Sequence, residues 1–181
     1  MELYKSDMTA SPSVKIAYGA ILVALAVALG YALALVPNIE LVTLTLAFGG
    51  FLLGGWWGML VGAMGFGLYS VLSPFGAAPP PLLLAQIIGG AFIGMGGSFL
   101  RKIRRRDWLF YAASGATGFI ITLFYDISTN VGSFIMISSE STLVPFVIGG
   151  LSFSIVHITA NTAIFAILFP ILSRYINISK R

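Results

Sequence analysis

The chain has 181 residues, of which 58% are hydrophobic and only 9% charged, with a mean hydropathy of +0.98. An ordinary soluble protein carries roughly 25% charged residues, so a soluble globular fold is excluded and an integral membrane protein is expected. The chain has no cysteine, which excludes a disulfide scaffold, a thiolate zinc site and a cysteine nucleophile. The net charge of +4 does not point to nucleic acid, because all ten basic residues fall in three short segments. These are Lys5 and Lys15; Arg101, Lys102, Arg104, Arg105 and Arg106; and Arg174, Lys180 and Arg181. Such a distribution is a topology signal.

The first apolar run, 16–36, is long enough to cross a hydrocarbon core that needs about 20 helical residues. Ser11 and Pro12 suit an N-cap and first helical position, predicting a helix over 12–36. Ala32-Leu33-Ala34 resembles a signal-peptidase site, but the passes that follow favour an uncleaved helix. Pro37-Asn38-Ile39-Glu40 closes this span as an outer loop. Residues 41–72 form either one helix of about 48 Å or two spans turning at Gly54-Gly55. Two spans, 41–53 and 56–72, keep the Arg101–Arg106 cluster on the side of the N-terminus once a helix over 81–100 is added, as the positive-inside rule requires. Further helices are expected over 108–130 and 143–173, with the stretch 131–153 open between helix and loop. The expected fold is an all-α membrane protein, a single integral membrane domain over 1–181. It is a six-transmembrane-helix bundle with cytoplasmic N- and C-termini, with Glu40 and Glu140 outside and Asp126 near the outer surface.

Small residues indicate how these helices pack. Gly54, Gly58 and Gly62, like Gly90 and Gly94, recur every four residues, which lets backbones approach closely in lipid. Ala20, Ala24 and Ala28 form a stripe on one face of the first helix, suited equally to burial against neighbouring helices and to docking another subunit. Trp56 and Trp57 read as interfacial anchors.

Counting about 1.5 Å per residue from the basic clusters locates the polar side chains in depth. His157 falls about one turn below the outer surface and Asn161 about a turn deeper. Asp126 falls at the outer boundary beside Tyr125, with Asn130 just beyond, and Gln86 about two turns below. Glu40, Thr43 and Thr45 open the second helix on the same side, Glu40 being either a solvated loop charge or part of a site. Polar groups therefore converge on the outer half, above an inner half of Leu, Ile, Phe, Ala and Gly. Ionisable residues within a membrane are functional candidates by default, so Glu40, Thr43, Gln86, Tyr125, Asp126, Asn130, His157 and Asn161 are the candidate binding residues. The loop 73–81 has four prolines in nine residues; it is either a stiff connector or a lid carrying Phe75 and hinged at Gly76. No catalytic set is expected. Ser114 and His157 lie about 15 Å apart in depth, one histidine does not make a zinc site, and no Gly-Lys-Ser/Thr phosphate-binding motif is present. A binder or conduit without cofactor or metal is the resulting reading.

Several segments carry a resemblance. Gly19-Ala20-Ile21-Leu22-Val23-Ala24, Val36-Pro37-Asn38-Ile39-Glu40-Leu41-Val42-Thr43, Tyr69-Ser70-Val71-Leu72-Ser73-Pro74-Phe75-Gly76, Pro80-Pro81-Leu82-Leu83-Leu84-Ala85-Gln86 and His157-Ile158-Thr159-Ala160-Asn161-Thr162 resemble the substrate-binding S component of energy-coupling factor (ECF) vitamin transporters. The resemblance extends over about 15–175. It implies a multi-pass protein of a prokaryotic cytoplasmic membrane that captures a vitamin or related micronutrient from outside. It further implies docking through Ala20, Ala24 and Ala28 on a membrane-embedded coupling protein, with two cytoplasmic ATPase subunits driving release inward. The chain itself would then be no enzyme and would have no nucleic-acid partner. No motif assigns the vitamin. The alternatives are a non-transporting scaffold of a cell-shape complex and a self-sufficient small transporter or channel.

Overall fold

Prolines and glycines decide where the helices of this chain begin and end. The computed structural model describes residues 11–36, 38–104, 107–137 and 142–176; Pro37, Glu140, Lys5, Arg105, Arg106, Lys180 and Arg181 lie outside the described residues. Its helices are α1 (Pro12–Ala32), α2 (Val42–Leu53), α3 (Gly55–Val71), α4 (Pro80–Lys102), α5 (Trp108–Ile137) and α6 (Leu143–Arg174). Pro12 and Pro80 occupy the first turns of α1 and α4, where an N–H has no helical partner to lose. Between α2 and α3 the backbone turns at Gly54 and Gly55, with φ +72° and +48°, values a residue without Cβ adopts readily. Helix α1 ends at Ala32 rather than 36, because Leu33 to Val36 form hydrogen-bonded turns instead. Helix α5 continues to Ile137, well past the expected 130.

All secondary structure among the described residues is helical. Four segments are long and apolar enough to cross a membrane: Pro12–Ala32, Pro80–Lys102, Trp108–Met136 and Ser154–Arg174. Their outer faces stay apolar: Ile16, Ile21, Leu84, Phe99, Phe119, Ile120 and Ile167 are all exposed, an arrangement suited to lipid rather than water. Helix α2, with 12 residues, is about 18 Å long. It can be short because it is central: ten of its residues are buried, against α1, α3, α4 and α6.

The glycine repeats interlock. A Cβ on Gly62 would run into the Gly90 carbonyl, one on Gly94 into the Gly58 carbonyl, and one on Gly50 into the Gly94 carbonyl. Gly58, Gly62, Gly90 and Gly94 therefore form the seam between α3 and α4, with Gly50 of α2 against its edge. Gly54 shares their spacing but belongs to the turn, where Arg101 packs beside it. Ser98 Oγ donates within the same seam to the Gly50 and Gly94 carbonyls, at 3.1 and 3.0 Å.

Every described Lys and Arg gathers at one end of the bundle. Arg101 donates to the Leu52 carbonyl at 2.6 Å and Arg104 to the Ser173 and Ile176 carbonyls at 2.5 and 2.6 Å, so both cap helix C-termini, where cations are favoured. Arg174 bonds the Tyr111 hydroxyl. Lys15 sits 5.8 Å over the Trp57 ring, giving that indole a cation partner, while Trp56 is exposed. Just inside this end Phe51, Phe165 and Phe169 are fully buried; Phe169 stacks on Phe165 with centroids 5.6 Å apart and meets Phe51 edge-on at 5.4 Å.

The seam makes a testable statement about stability. Gly62→Val should lower the melting temperature of detergent-purified protein, with a loss of about 1–3 kcal/mol or more. Gly67→Ala, whose Cβ would meet Ile87 at an ordinary 3.4 Å, should leave it unchanged. Equal melting of the two variants would remove the seam from the account of the fold.

Candidate functional site

At the end opposite the basic residues, α1 and α3 finish, α2 begins, and α5 and α6 each carry polar side chains on the face they share. Glu40 stands in the loop two residues before α2, whose free N-terminal N–H groups attract an anion. Its Oε2 accepts the Thr43 backbone N–H at 2.8 Å. Its Oε1 accepts from Asn161 Nδ2 at 3.0 Å and lies 3.4 Å from His157 Nε2. His157 Nδ1 lies 2.9 Å from Asp126 Oδ1, and Asn161 Nδ2 is 3.0 Å from His157 Nε2. His157 and Asn161 meet because they are one turn apart on α6. Asp126 faces them because α5 and α6 pack side by side.

The imidazole joins the two carboxylates. With the proton on Nδ1 it donates to Asp126 and leaves Nε2 to accept from Asn161; with both nitrogens protonated, Nε2–H turns to Glu40. Burial by itself would raise the Glu40 carboxyl, but hydrogen bonds from His157, Thr43 and Asn161 outweigh it, so the group lies below its ordinary value. Two acceptors in the network have no partner among the described residues: Asp126 Oδ2 and Asn161 Oδ1. Both residues are buried, Asp126 at 5% exposure and Asn161 at 0%.

A chamber of about 290 Å³ opens above this network, with Glu40, Asp126, His157, Phe66, Tyr69 and Tyr125 in its wall. Its size is at the lower end for small-molecule sites. Phe66 and Tyr125 have ring centroids 4.5 Å apart. Tyr31 stacks on Tyr69 at 5.1 Å and donates its hydroxyl to the Tyr69 carbonyl at 2.8 Å. No Lys or Arg among the described residues lines the chamber.

Of the residues expected from sequence, Glu40, Tyr125, Asp126, His157 and Asn161 are brought together here. Glu40 is not a solvated loop charge: its side chain is 20% exposed, because the start of α2 and the α6 amide draw it inward. Asp126 is likewise buried rather than wet. Thr43 contributes a backbone N–H, and its neighbour Thr45 turns its hydroxyl back to the Leu41 carbonyl. Gln86 does not line the chamber, and its buried Oε1 has no partner among the described residues. Asn130 turns away, donating to the Asp126 backbone carbonyl at 2.7 Å and packing against Gly150. Phe75 is 75% exposed and no residue of the 73–81 loop lines the chamber. The loop folds back on its own stem instead, through Ala78 N–H to the Ser70 carbonyl and Gly76 N–H to the Ser73 carbonyl. Phe66 and Tyr69 of the wall, and Tyr31 stacked on Tyr69, escape a depth count applied only to strongly polar groups; the same count puts both tyrosines at the outer ends of their helices.

Ser114 donates its hydroxyl to the Phe110 carbonyl and lies about 18 Å along α5 from Asp126, beyond reach of the histidine. Ala20, Ala24 and Ala28 are exposed, so the other helices of this chain leave the stripe uncovered. Together with Val23, Leu60 and Met64 they line an apolar groove of about 550 Å³ between α1 and α3.

Comparison with protein-family models, curated proteins and solved structures returns no match. The site is therefore read from its own geometry.

Glu40 supplies a pH prediction. A carboxyl held below its ordinary value stabilises the fold above that value and stops doing so as pH falls through the lowered one. The melting temperature should therefore drop on acidification below the ordinary carboxylate range, and the drop should shrink in Glu40→Gln. Glu40→Ala, which strands the Thr43 N–H and the Asn161 amide, should destabilise by about 1–3 kcal/mol at neutral pH. An unchanged melting curve for Glu40→Ala would show that the network does not hold the loop.

Proposed function

We propose that this chain is the substrate-binding S component of an ECF-type importer, a six-span bundle with cytoplasmic termini that captures a micronutrient from outside. The observation that carries this reading is the buried Glu40–His157–Asp126–Asn161 network beneath an aromatic-walled chamber, at the end away from the described basic residues. Positive-inside placement makes the basic end cytoplasmic, so the chamber opens outward. The fully buried Phe51, Phe165 and Phe169 packed below it favour a binding subunit over a self-sufficient channel. The exposed Ala20–Ala24–Ala28 stripe gives a coupling protein a surface its helices can approach closely. ATP hydrolysis belongs to separate ATPase subunits in this reading, and the chain itself is not an enzyme.

Orientation is open to direct measurement, because a chain without cysteine gives background-free labelling. In intact cells, Ile39→Cys should react with an impermeant maleimide and Lys102→Cys only after permeabilisation; the reverse pattern would overturn the proposal. Coupling is tested by co-expression with the coupling protein and ATPases. Ala20→Trp with Ala24→Trp should abolish uptake while the purified variant retains its co-purifying small molecule, identified by mass spectrometry. Uptake that survives the double substitution would refute docking through α1.

A further inference from the structure

The chamber also states what kind of molecule fits it, an inference that rests on the reading of this site as a ligand-binding one. Besides the phenols of Tyr69 and Tyr125, its titratable groups are two carboxylates and one imidazole, so with both carboxylates ionised the network carries −2 with a neutral histidine and −1 with a protonated one. Glu40 is held in its ionised form by hydrogen bonds from His157, Thr43 and Asn161, and no described Lys or Arg lines the chamber. Among the described residues, the unpartnered buried atoms of the network are both acceptors, Asp126 Oδ2 and Asn161 Oδ1, and Asp126 belongs to the chamber wall. A buried acceptor without a donor is destabilising, and a ligand N–H that reaches it relieves that cost. An anionic ligand would instead meet two carboxylates in low dielectric. Phe66, Tyr69 and Tyr125 complete the wall, and aromatic rings attract cations. A bare metal ion does not fit the geometry, because the imidazole stands between the two carboxylates and occupies one oxygen of each.

We propose that the chamber binds a small, flat organic cation that donates N–H hydrogen bonds to Asp126 and lies against Phe66, Tyr69 and Tyr125. An amidinium or a protonated amino-heterocycle has the required chemistry, and a chamber of about 290 Å³ admits a one- or two-ring body.

Three probes of matched shape test this: benzamidinium, neutral benzamide and anionic benzoate, each titrated at millimolar concentration into the purified full chain at neutral pH. Thermal stabilisation reports binding. Benzamidinium should bind at least about tenfold more tightly than benzamide, the worth of a charge-assisted hydrogen bond, and benzoate should not stabilise the protein. In Asp126→Asn, whose melting without ligand verifies folding, the preference for benzamidinium over benzamide should fall by about tenfold. Benzoate binding as well as benzamidinium, no stabilisation of the wild-type chain by benzamidinium, or an undiminished preference in Asp126→Asn would each overturn the inference. No transport is measured, so the two readings fail separately. Cation selectivity without uptake in the assembled system would sink the importer and leave this inference standing, whereas uptake of an anion through the same residues would do the opposite.

Discussion

A carboxylate enclosed by an apolar bundle must be surrounded by donors or surrender its charge, and the arrangement around Glu40 follows from that constraint. Its donors come from three directions: the free N–H of Thr43 at the start of α2, the amide of Asn161 and the imidazole of His157 on α6. Asp126 on α5 takes the other ring nitrogen. One side chain in a short loop thereby ties the first connection to both C-terminal helices. The chamber is the space this tie leaves beneath the ends of α1 and α3.

The rest of the bundle works by close approach. In lipid, apolar side chains gain little by leaving their surroundings, so contact between backbones has to supply the packing energy. The α3–α4 seam achieves this with Gly58 and Gly62 laid directly on Gly90 and Gly94, and α2 is narrow enough at Gly50 to lie against the same seam. Ten of the twelve residues of α2 are consequently buried. Below the chamber, the phenylalanines of α2 and α6 fill the middle of the bundle, and the guanidinium groups of Arg101 and Arg104 close the helix ends beneath them. The molecule is thus polarised: Glu40, Asp126 and the chamber at one end, the described Lys and Arg at the other, and packed between.

Legibility differed from residue to residue. His157 and Asn161 were readable because helical spacing and distance from Arg174 set both their shared face and their depth. The turn at Gly54-Gly55 was readable because one helix of that length would have inverted the arginine cluster. Glu40 was ambiguous, since a loop glutamate next to a helix start reads equally well as solvated; only the α6 amide, more than a hundred positions away, draws it inside. Phe75 looked like part of a lid, but a proline-rich loop has no period from which its direction can be read, and its hydrogen bonds return to Ser70 and Ser73.

From sequence alone came the low charge, the gathering of the basic residues into three segments, the glycine spacing and the spacing of the polar groups along each helix, because these depend on composition and on the fixed rise of a helix. What required the tertiary structure was azimuth: which face of each helix meets which neighbour. That decided that Asp126 meets His157, that Asn130 turns away, that Tyr31 and Tyr69 stack, and that Ala20, Ala24 and Ala28 remain uncovered. Rise per residue is a property of one helix, whereas rotation about its axis is set jointly by every helix packed against it.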